Sequence, residues 1–274
     1  MVDRPERRPE AARVATIGVV VVDLDATGTT VRDTEAAPSA DDGPTAHAPR
    51  VTVWAPPSTD PRWATALTDR VAAAGAELRL APLDASHRPD VGHGDVLVVL
   101  EPDVLPFPGA LEAAAALAAD RPTAAVTGKV LDGTGRIESA GGIVFTDRSV
   151  GLIAARSLDV RSPWHEYLRP VCWGSGLLAA SGALWSAVPM PGALEGRALA
   201  REWCAEVWAS GHEVVYQPTV VSVRVAGDGG EPSTPLVSSS WQRVLDLRPP
   251  RPVELGDGAW RHVLAHDDVE ACRG

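Results

Sequence analysis

The run GDVLVVLEPDVLPFPGALEAAAALAAD, Gly94 to Asp120, decides how the rest of the chain is read. Asp95–Leu100 is a short apolar run rich in β-branched residues, the composition of a buried strand. Pro108–Ala119 is built of Ala and Leu behind a proline, which suits the first position of a helix. Glu101, Pro102 and Asp103 stand at the join. Open α/β sheets hold their ligands beyond the carboxyl ends of the strands, so two carboxylates at this place pose a choice. They form a metal and phosphate site, or only a turn shaped by Pro102.

Working outward, the same alternation continues. Val51–Trp54 reads as a strand. Pro61–Ala74 reads as a helix, with Asp60 as N-cap, Pro61 at its first position and Gly75 past its end. Leu78–Leu80 and Thr123–Val126 are further strands. This β-α-β-β-α-β order predicts an α/β fold, a mixed and mostly parallel sheet flanked by helices. On the amino-terminal side, Val14–Val22 reads as another core strand, far short of the ~20 apolar residues that span a bilayer. Asp23-Leu24-Asp25 follows it where a signal peptide would carry small residues.

The second half differs in texture. RIESAGGIVF (136–145) sets two adjacent glycines before an apolar strand, with Gly141-Gly142 turning the backbone. VCWGSGLLAASGALWSAV (171–188) is small and apolar. GRALAREWCAEVWASG (196–211) is helical, with Leu199, Trp203 and Val207 on one face toward the core and Gly211 as terminator. HEVVYQPTVVSVRV (212–225) is strand, turn, strand. The stretches 26–49 and 226–240 are poor in apolar groups and rich in turn formers, hence long loops. The reading is a polar tail over 1–12, one domain over 13–227 and a loop with a carboxyl-terminal extension over 228–274.

Bulk properties narrow the function. The 274-residue chain is 45% hydrophobic and carries a formal charge of -11. That balance argues against a broad nucleic-acid-binding surface, while a local arginine can still hold an anion. Cys172, Cys204 and Cys272 form no CxxC and no zinc spacing, and the odd, sparse count reads as reduced thiols in a cytoplasmic protein. No P-loop, GxSxG or HExxH occurs.

Five pieces, in order, resemble family-two glycosyltransferases of the GT-A fold, the kind that transfer rhamnose and other sugars to bacterial surface polysaccharides. VTVWAPPSTDP (51–61) looks like the family's second strand and its Ser-Thr-Asp turn. GDVLVVLEPDVLPFPGALEAAAAL (94–117) looks like the strand, metal-binding turn and helix. AAVTGKVLDGTGRIESAGGIVF (124–145), WGSGLLAASGALW (173–185) and AEVWASGHEVVYQPTVVSVRV (205–225) match the later segments. The resemblance covers residues 14 to 227 and implies a nucleotide-sugar donor, a glycan acceptor and a Mg2+ or Mn2+ ion bridging the donor's phosphates.

The resemblance also implies roles for single residues. Asp103 matches the last Asp of the metal motif, and Glu101 stands where Asp or Asn is usual, one methylene longer. The Asp that holds the nucleobase or ribose falls at Ala55; Ser58, Thr59 and Asp60 remain beside it as donor contacts or as an ordinary helix cap. Counting back from Gly211 puts Leu199 and Ala200 at the catalytic Glu-Asp pair, where neither can accept a proton. Glu202 falls at the later Asp of that motif, and Glu195 is the other acid within reach of the role. Their plain readings are a helix-capping or solvated Glu202 and a solvated loop Glu195. Arg224 replaces a His that contacts metal or diphosphate; it cannot ligate a metal, but it can bind phosphate by its planar fork, or be a surface strand arginine. Asp23 and Asp25 are first-strand donor contacts or turn carboxylates. Trp164, Trp173 and Trp185 are a sugar platform or core packing, and His165 is an acid-base group or a surface side chain. Two functions follow: a divergent glycosyltransferase with catalysis impaired, or a non-catalytic pseudoenzyme acting as a binding or scaffolding subunit, paired with an active glycosyltransferase.

Overall fold

The computed structural model describes residues 48–57, 60–144, 150–155, 168–191, 196–225, 241, 244, 251–254 and 260–263. The Val14–Val22 strand, the tail over 1–12, the 226–240 loop, Ser58, Thr59, Trp164, His165 and Glu195 lie outside the described residues, as do Asp23 and Asp25.

The first half alternates as its sequence requires. Strand β1 (Val51–Ala55) leads to helix α1 (Pro61–Ala73), β2 (Glu77–Leu80), a 3-10 turn (Ala85–His87), β3 (Val96–Leu100), β4 (Val104–Pro106), α2 (Ala110–Asp120) and β5 (Ala124–Leu131). Then come short strands β6 (Ile137–Ser139), β7 (Gly142–Val144), β8 (Val150–Leu152) and β9 (Arg169–Pro170). Strand β10 (Leu177–Ser181), α3 (Gly182–Ala187), α4 (Gly196–Ala209) and the long β11 (Glu213–Arg224) follow, then β12 (Arg251–Glu254) and β13 (Trp260–Val263), which pair only with each other.

The main sheet runs β2-β1-β3-β10-β5-β11-β4, with β6 on β5 and β9 on β11. Strands β2, β1, β3, β5 and β11 point one way; β10 and β4 oppose them. The sheet is therefore mixed, with a parallel majority. Strand β3 is buried at every residue because both faces are covered. Its Val96, Val98 and Leu100 pack with Trp63, Leu67 and Val71 of α1 and with Leu111, Ala114 and Ala118 of α2. Its Leu97 and Val99 pack on the other face with Trp185 of α3 and with Leu199, Trp203 and Val207 of α4. The three α4 residues expected at the core are there, spaced by four as one helical face demands.

Local chemistry sets the ends. Asp60 caps α1 by accepting from the Arg62 N–H at 2.8 Å. Helices α1 and α4 close on Gly75 (φ 63°) and Gly211 (φ 81°), whose successors Ala76 and His212 donate back to Val71 and Val207. Strands β5 and β11 touch so closely that a Cβ on Gly128 would lie 2.0 Å from the Val220 carbonyl oxygen, beside the register shift between Tyr216 and Val221.

Candidate functional site

The carboxyl edge of the sheet gathers three of the expected groups, Glu101, Asp103 and Arg224. Strand β3 delivers Glu101, whose N–H donates to the Gly176 carbonyl at 2.8 Å. The chain then turns at once: the Val104 N–H points back to the Glu101 carbonyl at 3.4 Å, with Pro102 and Asp103 between. Asp103 has φ 60°, the left-handed third position of a type II turn, which proline at the second position favours and aspartate tolerates. The Val225 N–H donates to the Asp103 carbonyl at 2.9 Å, so the end of β11 braces the turn.

Arg224, the last residue of β11, reaches the same edge and is only 3% exposed. Its Nη2 donates to Glu101 Oε2 at 2.8 Å and its Nη1 to the Pro102 carbonyl at 2.8 Å. Its Nε lies 3.0 and 2.8 Å from the two oxygens of Glu138, on β6. Burial opposes the guanidinium's charge, but the Glu138 hydrogen bond and the charges of Glu101 and Glu138 outweigh it, and the pKa moves up. The surface-strand reading of Arg224 is thus corrected: the guanidinium is buried and bound on three sides.

These contacts decide the fit of a divalent metal. Hard cations take about six to eight oxygen ligands. Glu101, 3% exposed, already spends a carboxylate oxygen on Arg224. That leaves Asp103 as the half-exposed acid of the turn, and among the described residues no group of three His, Cys, Asp or Glu side chains is arranged to hold a metal. As arranged, the residues do not fit the ion.

The head of α4 is apolar where an acid was sought. Leu199 and Ala200 are 2% and 8% exposed and belong to the core. Glu202 is not solvated but 5% exposed; its Oε1 lies 3.7 Å from Arg201 Nε, and its Oε2 has no hydrogen-bond partner among the described residues. Burial lowers the Arg201 pKa against the pull of Glu202 and Glu101. Burial also drives the Cys204 thiol up to about 12, with Glu202 and Glu101 adding to it and a Gly174 backbone hydrogen bond opposing. Glu101 and Glu202 therefore act on one shared neighbourhood. The crevice beside Glu101, lined in part by Ser175 and Ala200, is too tight for a water molecule.

The remaining expected positions among the described residues are buried or otherwise engaged. Ala55 is fully buried at the end of β1, and Asp60 is occupied as the cap of α1. Trp173 and Trp185 are 4% and 3% exposed and pack in the core, Trp185 stacked on Trp203 with ring centroids 3.7 Å apart. Two residues were missed. Glu138 lies in a segment noted only for its glycines, and nothing local marks it as the partner of a residue 86 positions away. Asp84, beyond β2, accepts from the N–H groups of Ser86 and His87 at 2.8 and 3.2 Å and from the Ser86 hydroxyl at 2.5 Å. The Ser86 and His87 hydrogen bonds bring its pKa down to about 2; the spacing of Asp84 to Ser86 was the available signal.

No protein-family model matches the chain, and no curated protein matches it. Among solved structures it is similar to a crystal structure of GalNAc-T7 with UDP, GalNAc and Mn2+, with TM-score 0.45 and 11% identity. The match covers 74% of this chain and 49% of that one, so the chain spans about half the length of that protein. No helix among the described residues is long and apolar enough to cross a membrane.

Proposed function

We propose that this chain is a glycosyltransferase-like protein of the GT-A type that serves as a non-catalytic binding or scaffolding subunit, paired with an active glycosyltransferase in the assembly of a cell-surface glycan. The observation that carries this reading is the buried Glu101–Arg224–Glu138 ion network. It joins two positions that a working transferase would turn toward the donor's diphosphate and its metal. Both are then committed to buried partners and withheld from a diphosphate or its metal. Losing metal stabilisation adds several kcal/mol to the barrier, and losing a placed general base removes roughly 10²–10⁴ in rate.

One observation favours the alternative, a divergent transferase using a nucleotide-sugar donor, a glycan acceptor and Mg2+ or Mn2+ at Asp103. Glu202 Oε2 has no hydrogen-bond partner among the described residues, and Glu202 is the acid at the motif's later position able to accept a proton. Calorimetry with UDP-, GDP- and dTDP-sugars, with and without Mn2+, separates the two. The scaffold reading expects no metal-dependent binding. Mn2+-dependent binding abolished by Asp103→Ala, with turnover abolished by Glu202→Gln, would establish the transferase instead.

A further inference from the structure

A second polar site lies at the opposite end of the sheet. Ser181 of β10 pairs with Val96, the first residue of β3, so α3 starts at the amino edge, away from Glu101. There a pocket of about 300 Å³ opens between the connection Arg88–Val91 and Trp185-Ser186 of α3. Its walls are fixed. The Gly182 N–H donates to the Asp95 carbonyl at 2.8 Å, and a Cβ on Gly182 would lie 2.0 Å from the Gly92 carbonyl oxygen. Its floor is fixed too: Trp185 Nε1 donates to the Leu97 carbonyl at 3.2 Å, and its ring stacks on Trp203.

The guanidinium of Arg88 lies over this floor, with Cζ 5.8 Å from the Trp185 ring centroid. Among the described residues it makes no ion pair and no hydrogen bond. Arg50, Arg79, Arg201 and Arg224 each have a carboxylate neighbour, in a chain with 36 acidic residues against 25 basic ones. Burial lowers the Arg88 pKa with no charged group opposing it. A half-buried guanidinium has a planar fork that suits carboxylate or phosphate. Ser186 and Asp90, both exposed, stand on the rim as hydroxyl and carboxylate.

We propose that this pocket binds a small hydroxylated anion, a sugar-sized molecule bearing a carboxylate or phosphate. Arg88 takes the anionic group, while Ser186 and Asp90 take hydroxyls. The volume is at the small end of ligand pockets, which run from about 300 to 1,000 Å³. The site is independent of the carboxyl edge and of any reaction there.

The test is a titration of the full chain with glucuronate, glucose 1-phosphate, inorganic phosphate and glucose at low salt. It is read on the Trp185 indole N–H resonance, assigned with Trp185→Phe. A saturable shift with glucuronate or with glucose 1-phosphate, at least tenfold tighter than with glucose, is expected, and the responding ligand tells carboxylate from phosphate. Arg88→Gln should weaken it at least tenfold. Should that variant fail to fold, Ser186→Ala on the rim is expected to weaken binding about threefold. No shift with either sugar anion, inorganic phosphate binding as tightly as they do, or unchanged affinity in the substituted chains would each overturn the proposal.

Discussion

Replacing Arg224 by methionine removes the guanidinium that holds Glu101 and Glu138 and keeps most of the side-chain volume. The side chains of Glu101 and Glu138 are 4% and 7% exposed, so water cannot take over the lost role. Deleting one partner of a buried ion pair costs about 3–5 kcal/mol, because the remaining charge is left uncompensated. Here two carboxylates lose their guanidinium partner, and the Pro102 carbonyl also loses its donor, so the upper part of that range is expected. This is a large share of a domain stability of about 5–15 kcal/mol. Urea unfolding at pH 7, with the slope unchanged, measures it directly. The triple replacement Glu101→Gln, Arg224→Met, Glu138→Gln removes all three charges together, and well-matched neutral groups cost far less than a broken pair. It should recover at least half of the loss. A single-variant loss below about 1 kcal/mol, or a triple variant as unstable as the single one, would refute the claim that a desolvated ion network organises this edge.

Gly128→Ala drives a methyl group into the Val220 backbone, 2.0 Å from its carbonyl oxygen, where the neighbour cannot yield cheaply. Thermal unfolding should register a loss of at least the roughly 1–3 kcal/mol typical of overpacking. Asp84 should titrate at about 2 by carboxyl-carbon NMR, against about 3.9 for an unperturbed aspartate. Because its folded pKa is depressed, its contribution to stability is present above the unfolded pKa and fades as pH falls from about 4 toward 2. Asp84→Asn should flatten the pH dependence in that window, and an unchanged profile counts against the hydrogen bonds assigned to it. Cys204, with its thiol up at about 12 and fully buried, should resist alkylation at pH 8 until the chain unfolds. Rapid labelling in native buffer would contradict that burial.

Much of the frame was legible in order of residues alone. The apolar run at Val96–Leu100, the helix led by Pro61, the Asp60 cap, the glycine ends and the Leu199–Trp203–Val207 face all depend on contacts within a few positions, where period and capping act directly; α2 instead begins at Ala110, two residues past Pro108. The place of the Glu101–Asp103 turn at the sheet's carboxyl edge was legible for the same reason, since a strand's end and a turn residue are local facts. What the acids there do was not. Glu101 meets Arg224 across 123 positions and Glu138 meets it across 86, and only the sheet order, with β5 and β11 side by side and β6 folded onto β5, brings them together. Burial is equally non-local: Glu202 reads as a solvated helix residue until α4 is laid against the sheet. Sequence alone determined where carboxylates and an arginine stand along the chain. Tertiary structure decided that they pair with one another, because Coulomb energy depends on distance and desolvation, and both are set only when the sheet is assembled.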